Sequence, residues 1–225
     1  LTLSVTALSG VSFLADRMQR AFEFDARQLL AADLLIAADQ PIPQIFFSEA
    51  ENKGLRLAQT VVFPSMATIG EQSKLASLKA VSDLYPLRGS LKSALLPGAP
   101  PLSSPELGTV WVEPALLANL NARLGDKLKL GEKEFLIAGV IERELDRGAG
   151  FMNFAPRVMI SMNDLPGTGL IGLGSRVTYR LLLAGPDTAI GRYQQWAMQL
   201  VESERIRGLR IEGLDNAQPM MRKTL

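Results

Sequence analysis

Leu1 to Ala15 (LTLSVTALSGVSFLA) contains no charge and no proline, and it runs without a break through Asp16-Arg17-Met18 to Leu30. A stretch of this kind reads as one helix. Val11, Leu14, Met18, Phe22 and Leu29 recur at helical spacing on one side, while Arg17, Arg20 and Arg27 fall opposite with Phe13 and Phe24. The upper part is apolar all round and the lower part amphipathic, the gradient of a helix that leaves a bilayer and lies down on a folded domain. At 1.5 Å rise the uncharged part reaches about 22 Å against a hydrocarbon core of roughly 30 Å, too short to cross alone. Because the chain opens on Leu1 and not Met, it reads as a piece of a longer protein whose preceding residues supply the first turns. Leu3, Val5, Leu8, Val11, Phe13 and Leu14 are then membrane-proximal. Two other readings stay open: a buried core helix, and a secretory signal peptide, although no basic leading segment or small-residue cleavage site is visible.

Composition narrows the chemistry. With 225 residues and 47% hydrophobic content the chain can bury a substantial core. Its net charge is +1 with the basic residues scattered singly, which leaves no electrostatic footprint for nucleic acid. Cysteine and histidine are both absent. That removes thiolate nucleophiles, disulfides, imidazole bases and most zinc sites together.

Along the chain, Asp33 to Ala38 is a short apolar run ended by Asp39-Gln40-Pro41, which reads as a central strand buried on both faces. Pro43 opens a helix ending near Lys53, with Gly54 as its cap. Arg56 to Thr68 and Lys74 to Ser82 are strands, with Pro64 indicating an edge or a bulge. Tyr85-Pro86-Leu87-Arg88-Gly89 closes this unit, and Pro97, Pro100, Pro101 and Pro105 mark a linker or subdomain boundary. Thr109 to Val112 is a strand, Glu113 to Asn121 a short helix, and Lys127 to Leu130 with Glu134 to Ile141 a hairpin. Glu142 to Ala155 reads as a long loop before the strand Arg157 to Ile160. Arg176 to Leu183 is a strand, Asp187 or Thr188 caps a helix with a stripe of Ile190, Tyr193, Trp196, Ala197 and Leu200, and Leu209 to Glu212 is the last strand. The expected fold is α+β: two βαβ-like halves sharing one sheet, with an inserted, mainly β subdomain. The boundaries expected are 1–15 for the end of the membrane helix, 16–103 with 176–225 for the shared sheet, and 104–175 for the insertion.

Few constellations could carry reactions. Gly167-Thr168-Gly169-Leu170-Ile171-Gly172 matches GxGxxG literally, but its glycines follow a turn and lead into a strand, whereas a dinucleotide fingerprint must open a helix. Glu142, Glu144 and Asp146 offer paired carboxylates, yet Arg143 and Arg147 interleave with them and favour a solvated or locally paired loop. Neither a GxSxG elbow nor an SxxK pair is present. No catalytic residue, metal ligand or cofactor is therefore expected. Trp111 and Trp196 read as core residues. Phe151, Met152 and Phe154 place three large apolar side chains in one glycine-bounded loop and, with Tyr85 and Arg88, make the candidate interaction surface.

Six segments carry a family resemblance: Ser12 to Arg17, Leu30 to Leu34, Tyr85 to Gly89, Val110 to Glu113, Ala155 to Ile160, and Thr168 to Ile171 with Gly174 to Val177. Together they resemble the first extracytoplasmic domain of bacterial MacB/FtsX/LolC-type ABC transporter permeases, most nearly the large permease paired with a lysophospholipase-like esterase. One departure is Leu145, where the family pattern has proline. The resemblance implies a porter-like subdomain for the shared sheet and location on the periplasmic side of the bacterial inner membrane. It also implies a non-enzymatic role in which a separate cytoplasmic ATP-binding subunit drives membrane-helix motion, relayed outward as mechanotransmission to move lipophilic cargo. The implied partners are the membrane, that ATPase, a lipophilic substrate and the esterase. The alternatives are an assembly module that docks an esterase or another partner, and a lipid-acting hydrolase.

Overall fold

The structure is a computed structural model that describes residues 13, 17, 18, 21, 24–97, 102–144, 146–147, 154–172 and 174–213. Of the membrane-proximal and interaction-surface candidates above, Leu3, Val5, Leu8, Val11, Leu14, Phe151 and Met152 lie outside the described residues, as do Arg20, Phe22 and Leu145.

Ten strands form one mixed sheet: β1 (Leu34–Ala38), β2 (Arg56–Ile69), β3 (Gln72–Val81), β4 (Lys92–Leu95), β5 (Thr109–Val112), β6 (Lys127–Leu130), β7 (Lys133–Arg143), β8 (Arg157–Ser161), β9 (Thr178–Ala184) and β10 (Leu209–Gly213). The helices are α1 (24–30), α2 (Gln44–Asn52), α3 (Pro114–Leu120) and α4 (Asp187–Ser203). The fold is α+β, as the sequence indicates.

One half of the sheet has the order β10-β1-β9-β2 with every neighbour antiparallel. The units β1-α2-β2 and β9-α4-β10 therefore each enclose a strand of the other, giving two interlocked split βαβ halves. Both helices cover one face. Phe46 and Ala50 of α2 and Ala189, Ile190, Tyr193 and Ala197 of α4 pack on Leu34, Ile36, Leu181 and Leu183. The opposite face buries Leu35, Leu182 and Ala184. This two-sided burial is why β1 and β9 read as unbroken apolar runs.

The other half closes on itself. The path β2-β3-β8-β5-β7 returns to β2 through β6, which pairs with β7 and with Ala67–Thr68 of β2. The result is a six-stranded barrel filled by Phe63, Leu78, Val110, Leu128, Phe135, Val158 and Ile160, with Leu116 and Leu120 of α3 packed into the same cluster. Strand β2 is common to the barrel and the split βαβ sheet, pairing with β9 of the sheet and with β3 and β6 of the barrel. Pro64 sits in β2 between the residues paired to β9 (Arg56–Val62) and those paired to β6, so its missing N–H removes no ladder bond on that side.

The structure adds one strand and corrects three expectations. The added strand is β4, an edge strand on β7 that lies between the Tyr85–Gly89 segment and the prolines read as linker. Asp187 is the first residue of α4, and its N-cap is Pro186. The loop expected from Glu142 begins later, because β7 continues to Arg143. Finally, the apolar side expected to lie on the domain does not do so at Met18 or Leu29: both are more than half exposed, as are Phe13 and Phe24, and α1 makes its buried contact through Ala26. Among the described residues no helix is long and apolar enough to cross a membrane.

Candidate functional site

The densest polar arrangement is held by strands that should have no room for it. Residue parity along β2 and β3 puts Thr60, Val62 and Pro64 on one face with Ser77, Lys79 and Val81, directed away from the barrel interior. Arg157 of β8 stands opposite Ser77 across the parallel β3–β8 pair. Lys79 has no solvent exposure and Arg157 only 2%. Burying two such cations is tolerable only if each is paired and hydrogen-bonded.

Both conditions are met by the segment after β7. Lys79 Nζ donates to Glu144 at 2.7 Å, to Asp146 at 2.8 Å and to the Tyr85 hydroxyl at 2.7 Å, which uses all three of its protons. Tyr85 in turn donates a short hydrogen bond to Asp146. Arg157 Nε donates to Glu144 at 2.8 Å, and its Nη1 donates to Ser77 Oγ. Glu113, at the start of α3, accepts from Arg147 and, at 2.8 Å, from the backbone N–H of Arg157.

Burial, reinforced by the carboxylates of Asp146 and Glu144, drives the Tyr85 phenol well above its ordinary pKa, so it stays a donor. For Glu144 burial alone would raise the pKa, but Lys79 and Arg157 outweigh it and lower the value to about 2. At neutral pH these two groups are locked in one protonation state each, which suits structural pairing and not proton transfer.

A second hub lies at the end of α1. Asp33 accepts from Arg88 Nε at 2.9 Å and Nη2 at 2.6 Å and from the Gly185 N–H at 3.0 Å, and forms an ion pair with Arg27 at 3.3 Å. Hydrogen bonding to Asp33 raises the Arg88 pKa. Arg27 also reaches Asp187 at 2.9 Å.

The residues singled out from the sequence are distributed unevenly over this arrangement. Tyr85 is a correction: with 2% exposure it is a core residue of the ionic cluster and presents no surface. Arg88 is partly exposed and committed to Asp33. Phe154 is 87% exposed. Glu144 and Asp146 are a second correction. Their side chains, expected in a solvated or locally paired loop, are instead buried and bonded to residues from β3, the Tyr85 loop and β8, because those strands carry cations that need them. Trp111 is fully buried, and Trp196 packs on Phe46 and Tyr193 at ring-centroid distances of 5.6 and 5.3 Å. The GxGxxG segment forms a 3-10 turn over Pro166–Thr168 with Gly169 in the left-handed region, and the next regular element is β9, so no helix N-terminus is offered to a phosphate. Among the described residues no group of acidic side chains is arranged to hold a metal ion.

Sequence reasoning missed Lys79, Arg157 and Asp33. Their signal was a charge set directly against apolar neighbours, as in Leu78-Lys79-Ala80-Val81 and Arg157-Val158-Met159-Ile160.

No protein-family model matches the chain. Over 210 residues, 93% of its length, it is 32% identical to the uncharacterized ABC transporter permease YbbP of Escherichia coli (strain K12), and it spans about a quarter (26%) of that protein. Its fold resembles the periplasmic region of MacB from Actinobacillus actinomycetemcomitans, with a TM-score of 0.55 and 12% identity over 88% of this chain and 97% of the other. It also resembles the extracellular domain of the noncanonic ABC-type transporter YknZ from Gram-positive bacteria, with a TM-score of 0.51 and 11% identity over 80% of this chain and all (100%) of the other.

Proposed function

We propose that this chain, a MacB-like periplasmic domain of the ABC transporter permease type, couples the motion of membrane helices driven by a separate cytoplasmic ATPase to the extraction or export of lipophilic cargo. The observation that carries this reading is the pairing of Leu34 with Gly213 across β1 and β10. The strand that follows α1 and the last described strand are direct neighbours at one end of the sheet. A domain inserted between two membrane helices needs this arrangement, since both connections must lead back to the same bilayer. The exposed apolar side chains of Phe13 and Met18, and of Phe24 and Leu29 in α1, support the same reading, as does the similarity to a permease. The role is mechanical, with no reaction assigned to the chain, and the domain lies on the periplasmic side of the inner membrane.

The test uses the full-length permease with its ATPase in proteoliposomes containing a fluorescent phospholipid. Met18→Glu is expected to leave ATP hydrolysis running and to abolish ATP-dependent loss of that lipid to acceptor vesicles. Undiminished lipid release by the variant contradicts the coupling. Hydrolysis without lipid release in the parent protein contradicts the cargo assignment.

A further inference from the structure

Two acidic hubs sit at either end of one short loop. Asp33 gathers Arg27 of α1, Arg88 and the Gly185 N–H. Asp146 gathers Lys79 and Tyr85, and its backbone carbonyl is 3.4 Å from Arg180 Nη1. The loop Tyr85 to Arg88 is fastened to both, by Arg88 at one end and Tyr85 at the other. Its middle is also tied down, because the N–H groups of Leu87 and Arg88 both donate at 3.0 Å to the carbonyl of Ala31, the residue that ends α1 with φ +56°. Arg56 adds a bond to the Leu87 carbonyl at 3.0 Å.

From Asp146 the bonded path continues. Lys79 joins Asp146 to Glu144, Glu144 joins Arg157, and the Arg157 backbone joins Glu113 at the foot of α3. Nearly every link involves a charged group, and most are shielded from water, where such bonds are strongest and most directional. Apolar contacts can slide; these hubs have one bonded arrangement. Between the last turn of α1 and the loop is a cavity of about 10 Å³ lined in part by Gln28, Tyr85, Arg88, Ser90 and Asp146. It has room for roughly one water. The helix is therefore joined to the loop here by a polar seam and by the Ala31 and Asp33 bonds.

We infer that the loop 85–88 is a coupling element joining the seat of α1 to the barrel wall, with Tyr85 and Arg88 as positioning residues at its two ends. The use of this element rests on the reading of α1 as the moving part; its existence does not.

Hydrogen exchange by mass spectrometry on the full-length permease, without nucleotide or cargo, tests it. The reporter is the segment 154–161, whose Arg157 stands at the far end of the bonded path from Arg88, beyond Tyr85, Asp146, Lys79 and Glu144. Arg88→Met is expected to speed exchange there roughly tenfold, the size of effect that coupled sites show. In a Tyr85→Phe background Arg88→Met adds nothing further, because the connection is already cut. Arg88→Lys, which keeps the charge and loses the two-point contact, produces a smaller change of the same sign and serves if Arg88→Met does not fold. The hairpin 127–137 stays at its original rate throughout. Unchanged exchange at 154–161 in Arg88→Met, simple additivity of the two substitutions, or an equal rise at 127–137 each overturns the inference. No ATP turnover enters the measurement, so failure of the transport reading leaves its outcome intact.

Discussion

Lys79 Nζ lies 2.8 Å from Asp146 Oδ2, although 67 residues separate them in the chain, and neither side chain is open to solvent. A pair of this kind is weak evidence of net stabilisation, since desolvation offsets much of the attraction; removing one member alone is costly. Lys79→Met would leave Glu144 and Asp146 buried with Arg157 as the remaining bonded cation. The expected loss of unfolding free energy in urea is about 3–5 kcal/mol, the range for a broken buried pair. A loss under about 1 kcal/mol, the range of exposed pairs, would mean that the cluster is solvated.

Glu144 sets an acid limit. Its pKa falls from an ordinary 4.5 to about 2 in the folded chain. Between those values the unfolded chain binds more protons, so stability rises with pH there. The contribution is therefore present above about pH 4.5 and lost as the pH falls toward 2, on the order of 3 kcal/mol in total. Thermal unfolding followed from pH 6 to pH 2 should show this decline, and Glu144→Gln should flatten it while lowering stability at pH 6. An unaltered slope in the variant would assign the acid sensitivity to other groups.

The glycine-rich turns give a paired comparison. Gly131 has φ +60°, and a Cβ there would overlap the Thr168 carbonyl oxygen and crowd Leu170. Gly172, the last glycine of the GxGxxG match, has nothing within 4 Å of its would-be Cβ and no positive φ. Gly131→Ala is expected to cost about 2 kcal/mol or more, from backbone strain and overlap together. Gly172→Ala should stay within about 0.5 kcal/mol of the parent. Equal effects would contradict the turn geometry at Gly131.

Local elements were legible because they rest on local chemistry. Pro43 before α2, Gly54 after it and the Lys127–Leu130 alternation each announce structure within a few residues. Two βαβ-like halves sharing one sheet could be read from element order and apolar texture, but not the interlocked strand order β10-β1-β9-β2. Barrel closure could not, since it depends on two residues of β6 meeting Ala67 and Thr68 some sixty positions earlier. β4 was hidden by the prolines around it, and by its alternating exposed and half-buried positions on a sheet edge. The ionic cluster was half visible: Glu144 and Asp146 stood out, but the nearby Arg143 and Arg147 looked like sufficient partners. Which cations they meet is decided by the β3–β8 pairing, a long-range contact that local spacing does not encode.

The central claim is that nucleotide-driven motion reaches this domain through α1. Its most direct test is hydrogen exchange over residues 24–31 and 85–88 in the full-length permease with its ATPase, comparing the nucleotide-free complex with one trapped by ATP and vanadate. Protection in both segments is expected to change together between the two states. An exchange profile across the domain that is identical in both states, while the ATPase remains active, would contradict it.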